Sequence, residues 1–230
     1  MAKIKFGAVV QDARGKIDGI VYSKNQFGAY VRQKVSPVQP RGARQTLIRE
    51  RMATLSKRFS TVITAAQQAA WNAFAKVNPM VDVFGNPQAM TGISAYTRLN
   101  GVILNALGTR IDTPPADLEV IGLLSMTAVA AAGAGTLAIT FTATPLGAGI
   151  QLYIWASQGR NEGRQFFNSD LRFIGVSAAA QASPYAAGAQ YTGIFGSMIA
   201  GTAIGVLVSV CDPTKGAVTP GIFARVVVGA

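Results

Sequence analysis

Apolar residues recur along this chain with two different periods, and the change falls near residue 111. Ile48, Met52, Leu55 and Phe59 lie at spacings of four, three and four, which makes one apolar stripe and predicts a helix over roughly 43–60. Pro37 and Pro40 precede it and stop the pattern before it from running on. A second helix is predicted from 64-TAAQQAAWNAFA-75. Thr64 and Gln67 stand at capping-box spacing, and Trp71 and Phe74 share a face that should pack on the first helix. After a turn at 84-FGNP-87, Thr91 is placed to cap a third helix through about Leu107. Ile93, Tyr96, Ile103 and Leu107 form its stripe, and Gly108 suits the C′ position.

Beyond residue 111 the period is two. Leu137, Ile139 and Phe141 alternate in 136-TLAITFTAT-144, and Ile150, Leu152 and Ile154 do so in 150-IQLYIWAS-157. Ile204, Val206, Val208 and Val210 alternate with Gly205 and Ser209 in 203-AIGVLVSVCD-212, and 222-IFARVVVG-229 follows a turn at 212-DPTKG-216. Short alternating strands divided by Gly and Pro turns predict a β-sandwich of immunoglobulin or fibronectin type. The stretch 120-VIGLLSMTAVAAAGAGTLAI-139 has the length of a membrane span. Its Ala/Gly dilution and its alternating end favour strands instead.

Ahead of the helices, Gly7, Gly15, Gly19 and Gly28 punctuate short apolar runs such as 20-IVY-22 and 29-AYV-31. These read as short strands, with Asn25-Gln26-Phe27-Gly28 as a hairpin loop. So small a hairpin is marginal alone and needs a surface to lie on. The expected fold class is therefore α+β in two domains. A basic β-hairpin arm (1–40) leads into a three-helix module (41–110), a Pro-Pro linker 111-IDTPPAD-117, and an immunoglobulin-like sandwich (118–230).

Charge divides the chain differently. Residues 1–60 hold 13 Lys/Arg and 3 Asp/Glu, whereas residues 111–230 hold 5 and 6. No charge occurs between Glu119 and Arg160, or between Arg172 and Asp212. A surface of Ala, Gly, Ser, Thr and Gln suits a protein packed against copies or partners, because a free monomer ordinarily relies on charge for solubility. On the first helix, Arg44, Arg51 and Arg58 sit beside the apolar stripe, where their stems lie on apolar surface while their heads stay wet. Lys3, Lys5, Arg14, Lys16, Lys24, Arg32, Lys34, Arg41, Arg44, Arg51 and Arg58 are the candidate anchor residues for a partner.

Catalytic chemistry is poorly supplied. Histidine is absent, which removes the usual general base and the commonest metal ligand. The acids are scattered: Asp112 and Asp117 flank the linker, where solvated charge is expected. The lone Cys211 lies in a Val-rich run as a buried structural thiol, so neither an internal disulfide nor a multi-cysteine zinc site is expected. No phosphate-binding loop occurs, and Trp71 and Tyr96 read as core aromatics rather than base-stacking platforms. The apolar run before Gln11 is too short for the core of a signal peptide. The polar stretch 158-QGRNEGRQFFNSDLR-172, with Arg160, Glu162, Arg164 and Asp170, is the candidate recognition loop. The expectation is a non-enzyme without cofactor or metal.

The succession 20-IVYSKNQFGAYVRQKVSPVQP-40, Gln45, Arg49 and 68-QAAWNAFA-75 resembles proteins encoded in bacteriophage and prophage genomes. In these a strand-forming arm is followed by a Pro-rich turn and a Trp-bearing helix pair, and 191-YTGIFGSMIAGTAIGVLVSVCD-212 resembles the end of the sandwich that follows in some of them. The resemblance implies a virion setting, where immunoglobulin-like domains are frequent appendages of heads and tails. The expected function is a structural virion protein, a capsid decoration or cement protein that binds the major capsid protein or its own copies. A tail or neck component, a DNA-binding protein using the basic arm, and a receptor binder using the 158–172 loop remain open.

Overall fold

The computed structural model describes residues 2–5, 7, 12–25, 28–36, 42–81, 84–142 and 146–230, leaving out the side chains at positions 2 and 3. The chain is mixed α+β. At its start, β1 (Ala2–Lys3), β2 (Gly15–Ile17), β3 (Ile20–Asn25) and β4 (Gly28–Gln33) form a four-stranded sheet in the order β1-β4-β3-β2. Asn25 pairs with Gly28, which confirms the hairpin; Gln26 and Phe27 at its tip lie outside the described residues. So do Pro37, Pro40 and Arg41.

Three helices follow: α1 (Ala43–Thr61), α2 (Ala65–Val77) and α3 (Gly92–Asn105), with the short strands β5 (Met80–Val81) and β6 (Pro87–Gln88) paired between the last two. The capping box of α2 forms as its sequence predicts. Thr64 Oγ1 accepts from the Gln67 backbone N–H, and the Thr64 N–H donates to Gln67 Oε1. Trp71 and Tyr96 are both fully buried and meet edge to face at 5.4 Å, joined by Leu55, Ala75 and Leu99. They are core aromatics.

Two helix expectations are corrected. The α1 stripe splits: Leu55 enters the core and Phe59 packs against it, while Ile48 and Met52 stay about half exposed. Ile48 and Met52, nearer the start of α1, stay outside the cluster around Trp71 and Tyr96. At the end of α3, Leu107 rather than Gly108 takes the left-handed C′ conformation, with φ of 59°. The Gly108 N–H then donates to the Ile103 carbonyl at 2.8 Å, which closes a Schellman-type cap, and Leu107 points into solvent.

The remainder is one large curled sheet. It comprises β7 (Ser125–Ala131), β8 (Thr136–Thr142), β9 (Gln151–Ala156), β10 (Arg160–Asn161), β11 (Arg172–Val176), β12 (Tyr185–Ala186), β13 (Thr202–Asp212), β14 (Ala217–Val218) and β15 (Ile222–Gly229), with a short helix α4 (Gly188–Phe195). The strand order is β11-β9-β13-β15-β7-β8-β12, and β10 and β14 pair with β13. All pairings are antiparallel except β15 with β7. The predicted inward residues Leu137, Ile139, Phe141, Leu152, Ile154, Ile204, Val206, Val208 and Val210 form its core, closed at one end by Tyr191 of α4. Residues 120–139 are a coil and two strands, and no helix among the described residues is long and apolar enough to cross a membrane.

Strand β13 departs from its alternation, because its second face is buried as well. Phe167 covers Gly205 so closely that a Cβ there would lie 2.5 Å from the Phe167 Cβ. At the other end Cys211 packs with Ala106 and Tyr153, beside Trp155 and Phe173. This second cluster is the seam between the helices and the sheet. Backbone approaches backbone there: a Cβ on Gly216 would meet the Leu99 carbonyl oxygen at 2.5 Å.

Candidate interaction surface

The N-terminal sheet has full ladders and, among the described residues, no interior. Not one described residue before Leu55 is buried. Residues directly opposite one another on antiparallel strands share a face, so the register sorts the side chains. On one face Lys16, Val21 and Arg32 form a row across three strands, followed by Ser23 and Tyr30. On the other, Ile17, Ile20 and Gln33 form one row, and Gly15, Tyr22 and Val31 the next. One face is thus basic and the other apolar, with Ile17 at 68% exposure.

This sorting divides the candidate anchors. Lys16 and Arg32 are exposed on the basic face, and Lys3 stands opposite Tyr30 in register, its side chain outside the described residues. Lys24 lies on the apolar face, and Asp12 pairs with both Lys24 and Arg14, each at 3.5 Å. Lys5 stands 5.4 Å over the Phe84 ring, and Lys34 is exposed just past β4. Arg41 lies outside the described residues.

The three arginines of α1 have different surroundings, which sequence did not reveal. Arg44 donates to the Phe173 carbonyl at 2.7 Å and lies over the Phe173 ring. Arg51 donates to Asn105 Oδ1 at 2.6 Å, and Asn105 in turn donates to the Tyr153 hydroxyl at 2.8 Å. Arg58 grips Asp112 with two hydrogen bonds, at 2.9 and 2.6 Å. Each therefore braces the helices against the sheet or the segment between them. That corrects the expectation of solvated charge at the linker. The Arg58 hydrogen bond holds the Asp112 carboxyl below the usual carboxylate range, and the Trp71 indole N–H donates to the Asp112 carbonyl at 2.8 Å. Asp117 likewise pairs with Lys215.

The 158–172 stretch is braced as well. Arg160 and Arg164 converge on Asp170 at 3.1 and 2.8 Å, β10 adds to β13, and Phe167 is buried against Gly205. Arg225 donates to the backbone carbonyls of Arg164 and Glu162, while the Glu162 side chain stays exposed. Arg160, Arg164 and Asp170 thus serve the loop's own shape. Nothing in the spacing of 158-QGRNEGRQFFNSDLR-172 marked Phe167 as core, although an aromatic pair in a polar loop is the signal that was there. Among the described residues no group of three or more Cys, Asp or Glu comes together.

The sequence matches no protein-family model and no curated protein. Among solved structures, an Fn3-like protein from Clostridium thermocellum is similar over 48% of this chain and 94% of its own, with 15% identity and a TM-score of 0.31.

Proposed function

We propose that this chain is a structural protein of a bacteriophage particle, a capsid decoration or cement protein attached through its N-terminal sheet. One observation carries the reading: a four-stranded sheet with complete ladders in which no described residue is buried. A sheet whose apolar face covers nothing gains little from burial, and a surface packed on that face would supply what it lacks. Its basic face suits an acidic protein wall, and its apolar face suits a neighbouring subunit. The particle setting rests on the likeness of 20–40 and 68–75 to phage-encoded proteins. The sparse charge of the C-terminal half accords with a subunit that lives packed among others.

In this reading the chain has two units after the arm, helical and β, and the β unit is an immunoglobulin- or fibronectin-like sandwich. The strand order supports this: β11-β9-β13-β15 and β7-β8-β12 make two layers joined by the parallel pairing of β15 with β7. The role is structural rather than enzymatic, and the partners are virion proteins and further copies of the chain.

A second reading draws on the basic face itself. Lys16 and Arg32 with Tyr30 beside them offer charge and an aromatic ring to a nucleic acid. Particles lacking the protein, supplied with the purified chain, separate the two. The wild type should bind the particle surface in many copies, and Lys16→Glu with Arg32→Glu should abolish binding while the circular dichroism of the β unit persists. Undiminished binding by that variant overturns the proposal. Binding to a 30-base-pair duplex that falls about 10³-fold between 50 and 200 mM salt would install the nucleic-acid reading in its place.

A further inference from the structure

The half-exposed start of α1 borders a groove that the role of the N-terminal sheet does not use. Leu47 and Ile48 form one wall, Phe173 and Ile174 of β11 the floor, and Ile194 of α4 the far side. Its volume is about 410 Å³, and Arg44, Arg51 and Arg172 stand around it. Leu47, Ile48 and Ile194 are 44%, 50% and 41% exposed, and Met52, one turn on, is 47% exposed.

Charge decides what fits. The contacts that orient the three arginines go to neutral groups: a carbonyl for Arg44, an amide oxygen for Arg51 and the Phe195 ring for Arg172. Such contacts fix a guanidinium without neutralising it. Among the described residues, no carboxylate lies within ion-pair distance of any of the three. The chain itself has little to supply. Asp12, Asp112, Asp117 and Asp170 are already paired with its own cations, and its net charge is +11. With 21 Lys and Arg against 10 Asp and Glu, a second copy is a poor source of a carboxylate-rich segment for the rim. Nucleic acid fits poorly for another reason, since its phosphates would face an apolar floor that has to be covered.

We infer that this groove receives an acidic amphipathic segment of a different protein, its apolar residues seated on Leu47, Ile48 and Ile194 and its carboxylates forked by Arg44, Arg51 and Arg172. Recognition of this kind joins apolar anchors in a groove with charge at its rim. The site is separate from the N-terminal sheet and holds whether or not that sheet binds a particle.

The test uses the full chain and a fluorescein-labelled 18-residue peptide with leucines on one helical face and glutamates elsewhere. Two comparison peptides replace the leucines by alanine or the glutamates by lysine. Fluorescence anisotropy at about 150 mM salt, where exposed charges are largely screened, should show the leucine–glutamate peptide binding at least tenfold tighter than either. Ile48→Glu should weaken it at least tenfold, with Leu47→Glu as the second variant should the first not fold. Lys16→Glu, on the N-terminal sheet, should leave it unchanged. Equal binding of the alanine peptide, or indifference to both groove variants, overturns the inference, since attraction to net charge would then suffice. Displacement of the peptide by an equal concentration of duplex DNA, with the groove variants unaffected, overturns it too.

Discussion

Arg58 and Asp112 are joined by two parallel hydrogen bonds across 54 residues of sequence. The pair fastens the end of α1 to the segment that leads into the sheet, beside the buried Trp71–Tyr96 contact. Because the Arg58 hydrogen bond depresses the Asp112 carboxyl, with the Arg58 and Arg110 charges adding to it against a desolvation cost, the sign of its pH effect follows. A carboxyl whose folded pKa lies below its unfolded value of about 3.9 stabilises the fold above that pH and loses the effect as pH falls through the folded value. Asp112→Asn should therefore unfold at lower denaturant than wild type at pH 7, and the gap should narrow below about pH 4. A gap that stays constant down to pH 2 would show that the pair's charge contributes nothing.

Asn105 joins helix to sheet by standing between Arg51 and the buried Tyr153 hydroxyl. Asn105→Ala leaves that hydroxyl without its donor and should cost about 1–3 kcal/mol, against about 0.5–1.5 kcal/mol for Tyr153→Phe. The double variant should lose less than the sum of the two, as contacting residues do. Urea unfolding of the four proteins measures the coupling, and strict additivity would refute it.

Leu107 holds a left-handed conformation at 85% exposure, so its side chain gains little from burial. Leu107→Gly relieves a backbone cost of about 1–2 kcal/mol, offset in part by the greater freedom of glycine in the unfolded chain. A net stabilisation of about 1 kcal/mol, or a rise of about 2–4 °C in melting temperature, is expected. Calorimetry decides it, and a lower melting temperature would mean that Leu107 packs on something in solution.

Cys211 is fully buried in the seam, and burial, with Asp212 adding, pushes its thiol up to about 12. It should stay protonated throughout the neutral range and resist an aromatic disulfide reagent in the native protein for hours. Full reaction in guanidinium completes the check, and rapid native reaction would show that helices and sheet separate.

The N-terminal sheet should be the least protected part of the isolated chain. Amides of Val21, Tyr22, Tyr30 and Val31 are expected to exchange with deuterium within minutes, and those of Val206 and Val208 over hours, because only the latter sit on a buried strand. Assembly into a particle should slow the first group. Equal protection of both groups in the free chain would show a stable sheet with no need of a partner.

The sequence by itself determined the local elements of this protein. Thr64 and Gln67 cap α2, the spacing of Trp71 and Tyr96 marks them as core, and the alternation of Ile204 to Val210 sets the inner face of β13. These rest on neighbours three or four residues along a helix, or two along a strand, and a sequence displays such neighbours directly. Tertiary structure alone decided the rest. Gly205 and Ser209 read as the polar side of β13, yet both are buried, Gly205 under Phe167 from a polar loop. Arg58 read as a charge awaiting a partner, and Asp112, beyond two further helices, already holds it. A charge run carries no record of which members are satisfied at long range, because an ion pair depends on where the fold brings two side chains and not on their spacing. With Arg58 taken up by Asp112, Lys16 and Arg32, on a sheet in which no described residue is buried, are among the charges left turned toward something else.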